Sequence, residues 1–265
     1  MDEAARFRVR SIFVSDVHLG CRHCKADFLL NFLKQYTCDY LYLVGDVVDG
    51  WKLHRGFHWN DTYTLVVRRI FGMVKRGTVV RYTPGNHDEF LRNYLDELQT
   101  MLTGHIEIAD EFLHRTADGR QLLVIHGDLF DTLSLTMPWL AGFGDRAYAA
   151  LLAINSAANW VRRKLGLKYK PYSQFMKQNV KRAVNFVTSF EEMIAMHTRK
   201  RNCDGVVCGH IHTPVIKSLD GLPYYNCGDW VESCTALLEH DDGRIELVTY
   251  DDATAARPFA ATFAA

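Results

Sequence analysis

Five times in this chain a short apolar run, rich in β-branched or aromatic residues, stops at a cluster of carboxylate, imidazole and amide side chains. Ile12 to Val14 leads into Asp16-Val17-His18, Leu41 to Val44 into Gly45-Asp46-Val47-Val48-Asp49, and Val79 to Thr83 into Gly85-Asn86-His87-Asp88. Leu122 to Ile125 leads into His126-Gly127-Asp128, and Val206 to Cys208 into Gly209-His210-Ile211-His212. Runs of this length and composition read as strands. Ligand sites in open α/β sheets form in the loops beyond strand ends, so five polar clusters so placed point to a single cavity.

The intervening pattern fits that placement. Arg8 to Ser15, Asp39 to Val44 and Thr78 to Thr83 read as strands, with helices at Asp27 to Tyr36 and Asp61 to Lys75 between them. This is a βαβαβ opening, a sheet with helices on its faces. Glu89 to Met101 reads as a further helix. Asp-Gly turns at Ala117-Asp118-Gly119, Asp220-Gly221 and Asp241-Asp242-Gly243 then add antiparallel hairpins. Between these hairpins Leu140, Phe143, Ala147, Leu151, Ile154, Ala158, Val161 and Leu165 recur at threes and fours, as do Met176, Val180, Val184, Val187 and Ile194. Gly166 and Pro171 separate the two faces, so a helical hairpin is expected at about residues 133–200 as a cap inserted in one domain of residues 1–250. Residues 251–265, alanine-rich and without periodicity, read as a loosely docked tail.

The donor types define the chemistry. Carboxylate, amide oxygen and imidazole together suit manganese, zinc or iron, whereas an all-oxygen cage would suit magnesium or calcium. On an extended segment side chains alternate with period two, which places Asp16 with His18, and His210 with His212, on a common face. Two ions side by side need a ligand with two oxygens to bridge them, for which Asp46 is the natural candidate. Glycines before Asp46, Asn86 and His210 and after His126 leave room for close backbone approach. A lone buried His or Asp is usually a satisfied polar residue. Five clusters of one donor chemistry at five strand ends favour a dinuclear metal site instead.

The ordered set D-x-H, G-D-x-x-D, G-N-H-D, H-G-D and G-H-x-H, running from Asp16 to His212, resembles the calcineurin-like metallophosphoesterases. The resemblance implies an α/β chain of the α+β type, two mixed β-sheets in a sandwich flanked by helices. It implies a metal-dependent phosphoric ester or anhydride hydrolase in which Asp16, His18, Asp46 and His212 hold one ion and Asp46, Asn86, His126 and His210 the other, with manganese expected first. His87 would be free to stabilise or protonate the leaving oxygen, and Asp49 is the carboxylate expected to orient it. Within that superfamily the chain is similar to the UDP-2,3-diacylglucosamine diphosphatases of lipid A synthesis. That similarity rests on Leu43-Val44-Gly45-Asp46 running into Gly50-Trp51, on His126-Gly127-Asp128, on the helical insertion, and on Gly228-Asp229-Trp230. Those enzymes typically carry Arg where this chain has His87, a departure that bears on the choice of substrate.

Charge distribution adds a partner. Net charge is zero, yet Arg146 through Phe190 contains no Asp or Glu and includes Arg146, Arg162, Arg163, Lys164, Lys168, Lys170, Lys177, Lys181 and Arg182. A basic amphipathic pair carrying Trp139, Phe143, Trp160, Tyr169, Tyr172 and Phe175 could meet acyl chains on one face and phosphate or headgroups on the other, with Arg162, Arg163, Lys164, Lys168 and Lys170 as candidate substrate contacts. The plainer reading is a solvated basic face. A phosphorylated, lipid-linked small molecule and contact with the inner-membrane surface are therefore expected. Nucleic acid is not, because the block lacks the interleaved aromatic and glycine pattern that stacks bases.

The amino terminus MDEAARFRVR has acids before its arginines and no apolar core, which argues against a secretory signal or mitochondrial presequence. Seven cysteines without a disulfide framework fit a reducing compartment, so a cytoplasmic location is expected. Cys21 and Cys24 form a C-x-x-C with no second pair at zinc-ribbon spacing and read as small or buried thiols. Three alternatives stay open: a hydrolase of a soluble nucleotide, another lipid phosphoester or a phosphoprotein; a non-catalytic module on the same fold; and a nuclease. Protein phosphatases of this superfamily typically follow G-D-x-x-D with Arg-Gly, whereas Gly50-Trp51 follows Asp49 here. A scaffold would be expected to lack ligands, and this chain lacks none.

Overall fold

The run FRVRSIFV forms the first strand, β1 (Phe7–Val14), whose last residues Ile12, Phe13 and Val14 are fully buried. It anchors a computed structural model that describes residues 7–52, 57–101, 104–130, 173–251 and 254–258. The chain divides into two compact units, Met1–Asp128 with Ala195–Ala265, and Leu129–Ile194.

The first unit holds both sheets. After β1 come α1 (Ala26–Gln35), β2 (Tyr36–Val44), α2 (Asp61–Val74), β3 (Val79–Thr83), α3 (Leu95–Met101) and β4 (Ile106–Ile108). The strands β5 (Glu111–Arg115), β6 (Gln121–Ile125), β7 (Gly205–Cys208), β8 (Val215–Leu219), β9 (Leu222–Asn226), β10 (Thr235–Glu239), β11 (Ile245–Asp251) and β12 (Thr254–Pro258) follow. One sheet has the order β12-β11-β10-β1-β2-β3-β4 and the other β5-β6-β7-β9-β8. Both are mixed: β1, β2, β3 and β4 run parallel and β10 joins antiparallel, while β6, β7 and β9 run parallel between antiparallel β5 and β8.

Period-two alternation builds the layers. Phe13, Tyr42 and Val44 of the first sheet pack with Leu122, Val124, Val207 and Tyr225 of the second, forming the core of a sandwich. Their neighbours Ile12, Val14, Leu41 and Leu43 face the opposite way and pack with Leu29, Phe32 and Leu33 of α1 and Tyr63, Val66 and Met73 of α2. The α1 residues recur at threes and fours, which gives the helix one apolar stripe. At the start of α2 the Asn60 side chain accepts the Tyr63 N–H at 3.0 Å, satisfying a donor that helix geometry leaves open. Within each sheet the apolar runs stop in register, Val14 opposite Leu43, Val44 opposite Thr83 and Val124 opposite Val207, so their polar loops emerge side by side.

The hairpin turns fall where Asp-Gly chemistry places them, between β5 and β6, β8 and β9, and β10 and β11. Two features differ from the sequence reading. The helix expected at Glu89 to Met101 is a 3₁₀ segment, Glu89–Tyr94, followed by α3. It tightens because the Leu91 N–H bonds the Asp88 carbonyl at 3.0 Å while the Arg92 side chain is tied to Pro84, Asp110 and Asp128. The tail expected to be loose carries β12, paired antiparallel with β11 at Val248↔Pro258 and Thr249↔Arg257. Small residues there give no alternating signal, and edge pairing needs only backbone groups. All seven cysteines are free thiols, and Cys21 and Cys24 are half-buried.

In the second unit the described part consists of Leu129, Phe130 and the start of α4 (Ser173–Lys200), the helix expected to form the later half of the cap. The first helix of the expected hairpin, the Gly166 to Pro171 break, and Arg162, Arg163, Lys164, Lys168 and Lys170 lie outside the described residues.

Candidate metal centre

The five loops are stitched by backbone bonds before any side chain is considered. Asp16 N–H donates to the Gly45 carbonyl at 3.1 Å, His18 N–H to Asp46 at 2.9 Å, Gly209 N–H to His126 at 3.1 Å and Trp230 N–H to Asp16 at 3.1 Å. The donors do not sit on extended chain, as period-two reasoning expected. Asp16 (φ 53°), His18 (54°), Asp46 (52°), His210 (69°) and His212 (49°) all adopt the left-handed conformation. Each such residue costs on the order of 1 kcal/mol or more and persists where surrounding structure forces it, typically at functional sites. Left-handed alike, Asp16 and His18 still bring their side chains within 4.0 Å of each other, whereas His212 meets Asp16 and His210 meets His126.

Side chains from separate loops meet. His212 Nε2 lies 3.1 Å from Asp16 Oδ1, His126 Nε2 lies 3.5 Å from Asp46 Oδ2, and His18 Nε2 lies 4.0 Å from Asp16 Oδ1. Among the described residues, three groups of donors are close enough to hold a cation: Asp16, His18 and His212; Asp16, Asp46 and His126; and His18, Asp49 and His87. His210 joins through its ring, 5.2 Å from that of His126, and its N–H donates to Asp16 Oδ2 at 3.0 Å.

A metal fits this arrangement on the evidence of its unsatisfied atoms. Asp16 Oδ1, His18 Nε2, Asn86 Oδ1 and His126 Nε2 are buried and have no hydrogen-bond partner. The approach of His212 to Asp16 Oδ1 is near enough for an ion pair but not aligned as a hydrogen bond. A buried unsatisfied polar group costs about 1–3 kcal/mol, so four in one hollow would forfeit much of a typical folding free energy of roughly 5–15 kcal/mol. Glycine keeps the hollow open. A Cβ on Gly85 would stand 2.2 Å from Asp46 Oδ1 and 2.6 Å from His126 Nε2, and one on Gly209 would stand 2.5 Å from Asp16 Oδ2.

Electrostatics agree. Burial alone would raise the Asp16 and Asp46 carboxyls, but His212 beside the first and His126 beside the second hold both below the usual carboxylate range. Burial would likewise depress His212, yet the Asp16 carboxylate lifts it to about 9, and Asp46 raises His126 well above an ordinary histidine. Burial keeps His18 low. Protons thus stand in for cationic charge in the metal-free protein, and binding a divalent ion would release them. His126 Nδ1 lies 2.9 Å from the Val44 carbonyl, which can only accept. That keeps one proton on Nδ1, so once the other is released Nε2 presents a lone pair to the hollow.

His87 stands apart. Its N–H donates to Asp46 Oδ1 at 2.7 Å, and its ring Nδ1 meets Asp49 Oδ1 at 3.0 Å, the partner named from sequence. Its Nε2 is 4.0 Å from Asp46 Oδ2.

Sequence reasoning gave no role to three residues that hold this frame. Asp88 is fully buried and accepts N–H bonds from Val47 (2.7 Å), Asp46 and Val48 (3.3 Å each) and Gly85 (2.5 Å), besides the Tyr82 hydroxyl. It clamps the Asp46 loop to the Asn86 loop. Arg92 forks onto Asp128 at 2.7 and 2.9 Å and donates to the Pro84 carbonyl at 2.7 Å, joining the Asn86 and His126 loops. The indole of Trp51 stacks on His87. Asp88 was visible only as the last letter of G-N-H-D, and nothing marks Arg92 along the chain.

Residues 9–214 match the family described as calcineurin-like phosphoesterase. The UDP-2,3-diacylglucosamine hydrolase of Aeromonas salmonicida is 25% identical over 236 residues, 86% of this chain and 89% of that protein. The protein of the same name from Neisseria gonorrhoeae is 25% identical over 252 residues, covering 89% and 96% respectively. Among solved structures, the phosphoesterase Yfce from E. coli aligns with a TM-score of 0.48 at 16% identity, over 92% of this chain and 94% of its own.

Proposed function

Because the chain belongs to the calcineurin-like phosphoesterase family and is a phosphoester hydrolase, we propose that it acts on a lipid-linked substrate such as UDP-2,3-diacylglucosamine, cleaving its pyrophosphate with two divalent ions, manganese first. The observation that carries the metal part is the set of four buried, unpartnered donor atoms contributed by Asp16, His18, Asn86 and His126. Asp16, His18, Asp46 and His212 would hold one ion, and Asp46, Asn86, His126 and His210 the other. When bound, the ions supply Lewis-acid charge that activates water and withdraws density from the phosphoryl oxygens.

The chain's own groups do the rest. Asp46 offers two oxygens across the hollow, and its loop is held by Asp88. His87, oriented through Nδ1 by Asp49, would act as an imidazolium that gives its Nε2 proton to the leaving oxygen and is left as the neutral ring with its proton on Nδ1. Arg162, Arg163, Lys164, Lys168 and Lys170 would meet substrate phosphate or anionic headgroups. Such a substrate would bring a cytoplasmic enzyme to the inner-membrane surface. Among the described residues no helix is long and apolar enough to cross a membrane, so that contact would be peripheral.

The substrate name comes from relatives at 25% identity. His87, in place of the Arg usual in diacylglucosamine diphosphatases, favours a second reading, hydrolysis of another lipid or nucleotide phosphoester. Assaying UDP-2,3-diacylglucosamine beside a panel of soluble phosphomonoesters and diesters, with manganese and with detergent varied, separates the two. The lipid reading expects the highest kcat/KM for the diacyl substrate and a detergent dependence; a higher value for a soluble ester would overturn it.

A further inference from the structure

Trp51 is 46% exposed, unusual for an indole, yet its ring is not loose. It stacks on the His87 imidazole with ring centroids 3.9 Å apart and 27° between planes. The backbone puts it there. Gly50 N–H donates to the His87 carbonyl at 2.9 Å, starting the 3₁₀ turn Gly50–Lys52, and a Cβ on Gly50 would lie 2.5 Å from that carbonyl oxygen and 2.8 Å from the Phe90 ring. The turn is thereby pressed onto residue 87, and the next side chain covers its ring.

His87 has few other restraints. Asp49 holds Nδ1 at 3.0 Å but leaves the ring free to tilt about that bond, and 22% of the side chain is exposed to water. The His18 ring meets it at a 79° interplanar angle with centroids 4.5 Å apart. With Asp49 on one nitrogen, Trp51 in a stack and His18 at a steep angle, Nε2 is the polar ring atom left to act.

We propose that Trp51 is a positioning residue for His87, clamping the imidazole so that Nε2 faces the leaving oxygen. This rests on the proton-donor role proposed for His87. An aromatic contact of this kind is worth roughly a 3- to 10-fold effect in an equilibrium or rate. Its loss should be felt where the leaving group needs a proton.

The test uses the manganese-loaded full chain with methyl phenyl phosphate, a poor leaving group, and methyl p-nitrophenyl phosphate, a good one. Trp51→Ala should lower kcat about 10-fold on the phenyl ester and little on the nitrophenyl ester, with KM unchanged in both, and Trp51→Phe should restore most of the loss. The double variant Trp51→Ala/His87→Ala should be no slower than His87→Ala alone, since the indole acts through the imidazole. In metal-free protein the His87 ring-proton resonance, assigned by its disappearance in His87→Ala, should move downfield in Trp51→Ala as the ring current is removed. A raised KM at constant kcat, or additive losses in the double variant, would overturn the inference while leaving the His87 role intact. Wild-type turnover in His87→Ala would remove both.

Discussion

Asp46 answers to two neighbours at once: Oδ1 accepts the His87 N–H, and Oδ2 faces His126 Nε2. Because His87 bonds to it through the backbone, the His87 side chain can be removed without undoing that contact. His87→Ala is therefore expected to cut turnover by about 10²- to 10⁴-fold while metal content, read by elemental analysis, stays at the wild-type level. Loss of metal in that variant would contradict a separate role for the ring. The candidate donors stood out as single residues because carboxylate, amide and imidazole after an apolar run have few other uses together. Asp88 and Arg92 were not, because their partners are backbone groups and distant carboxylates, which leave no spacing pattern. The left-handed turns at Asp16, His18, Asp46, His210 and His212 were equally hidden, being imposed by the loops packed around them.

At the scale of elements, the strands and the first two helices were readable from periodicity to within a few residues. The 3₁₀ segment and β12 were decided by an anchored arginine and by edge pairing. The loop that carries Asn86 has no room for even a methyl group at Gly85. Gly85→Ala should accordingly reduce bound metal with little change in Tm, whereas retention of full metal content would show that the loop can yield. Deep between the sheets, β1, β2, β5 and β10 share a polar network. His114 bonds Tyr42 Oη at 2.8 Å and Glu239 Oε2 at 2.7 Å, Ser11 donates to the same carboxylate, and Arg10 reaches Oε1 at 2.7 Å. Burial alone would raise the Glu239 carboxyl, but the bonds from His114 and Ser11 bring it from 4.5 down to about 2. A folded-state value below the unfolded one stabilises the protein above about pH 4.5, by on the order of 3 kcal/mol, and that contribution drains away as pH falls toward 2. Urea unfolding of wild type and Glu239→Gln should show a stability gap that is widest at neutral pH and closes in acid; a gap independent of pH would refute this linkage.

For the whole molecule, strands that stop in register within each sheet lead their polar loops to a cluster of donors that fits cations. The basic stretch from Arg146 to Phe190 is proposed to bear on substrate choice. Replacing Arg162, Arg163, Lys164, Lys168 and Lys170 by Gln should raise KM for a diacylated substrate and leave a small soluble ester unaffected, as steady-state kinetics would read directly. Equal losses on both would assign those residues to folding instead. The sandwich was legible because its strands carry buried periodic patterns; substrate choice was less so, because His87 departs from the pattern of the diacylglucosamine diphosphatases that the chain resembles. The decisive measurement is native mass spectrometry of the purified chain loaded with manganese. With Asp46 serving both positions as proposed, about two ions are expected per wild-type chain and fewer in Asp46→Ala. A wild-type chain that binds less than about one ion, or an Asp46→Ala chain that keeps two, would contradict that proposal.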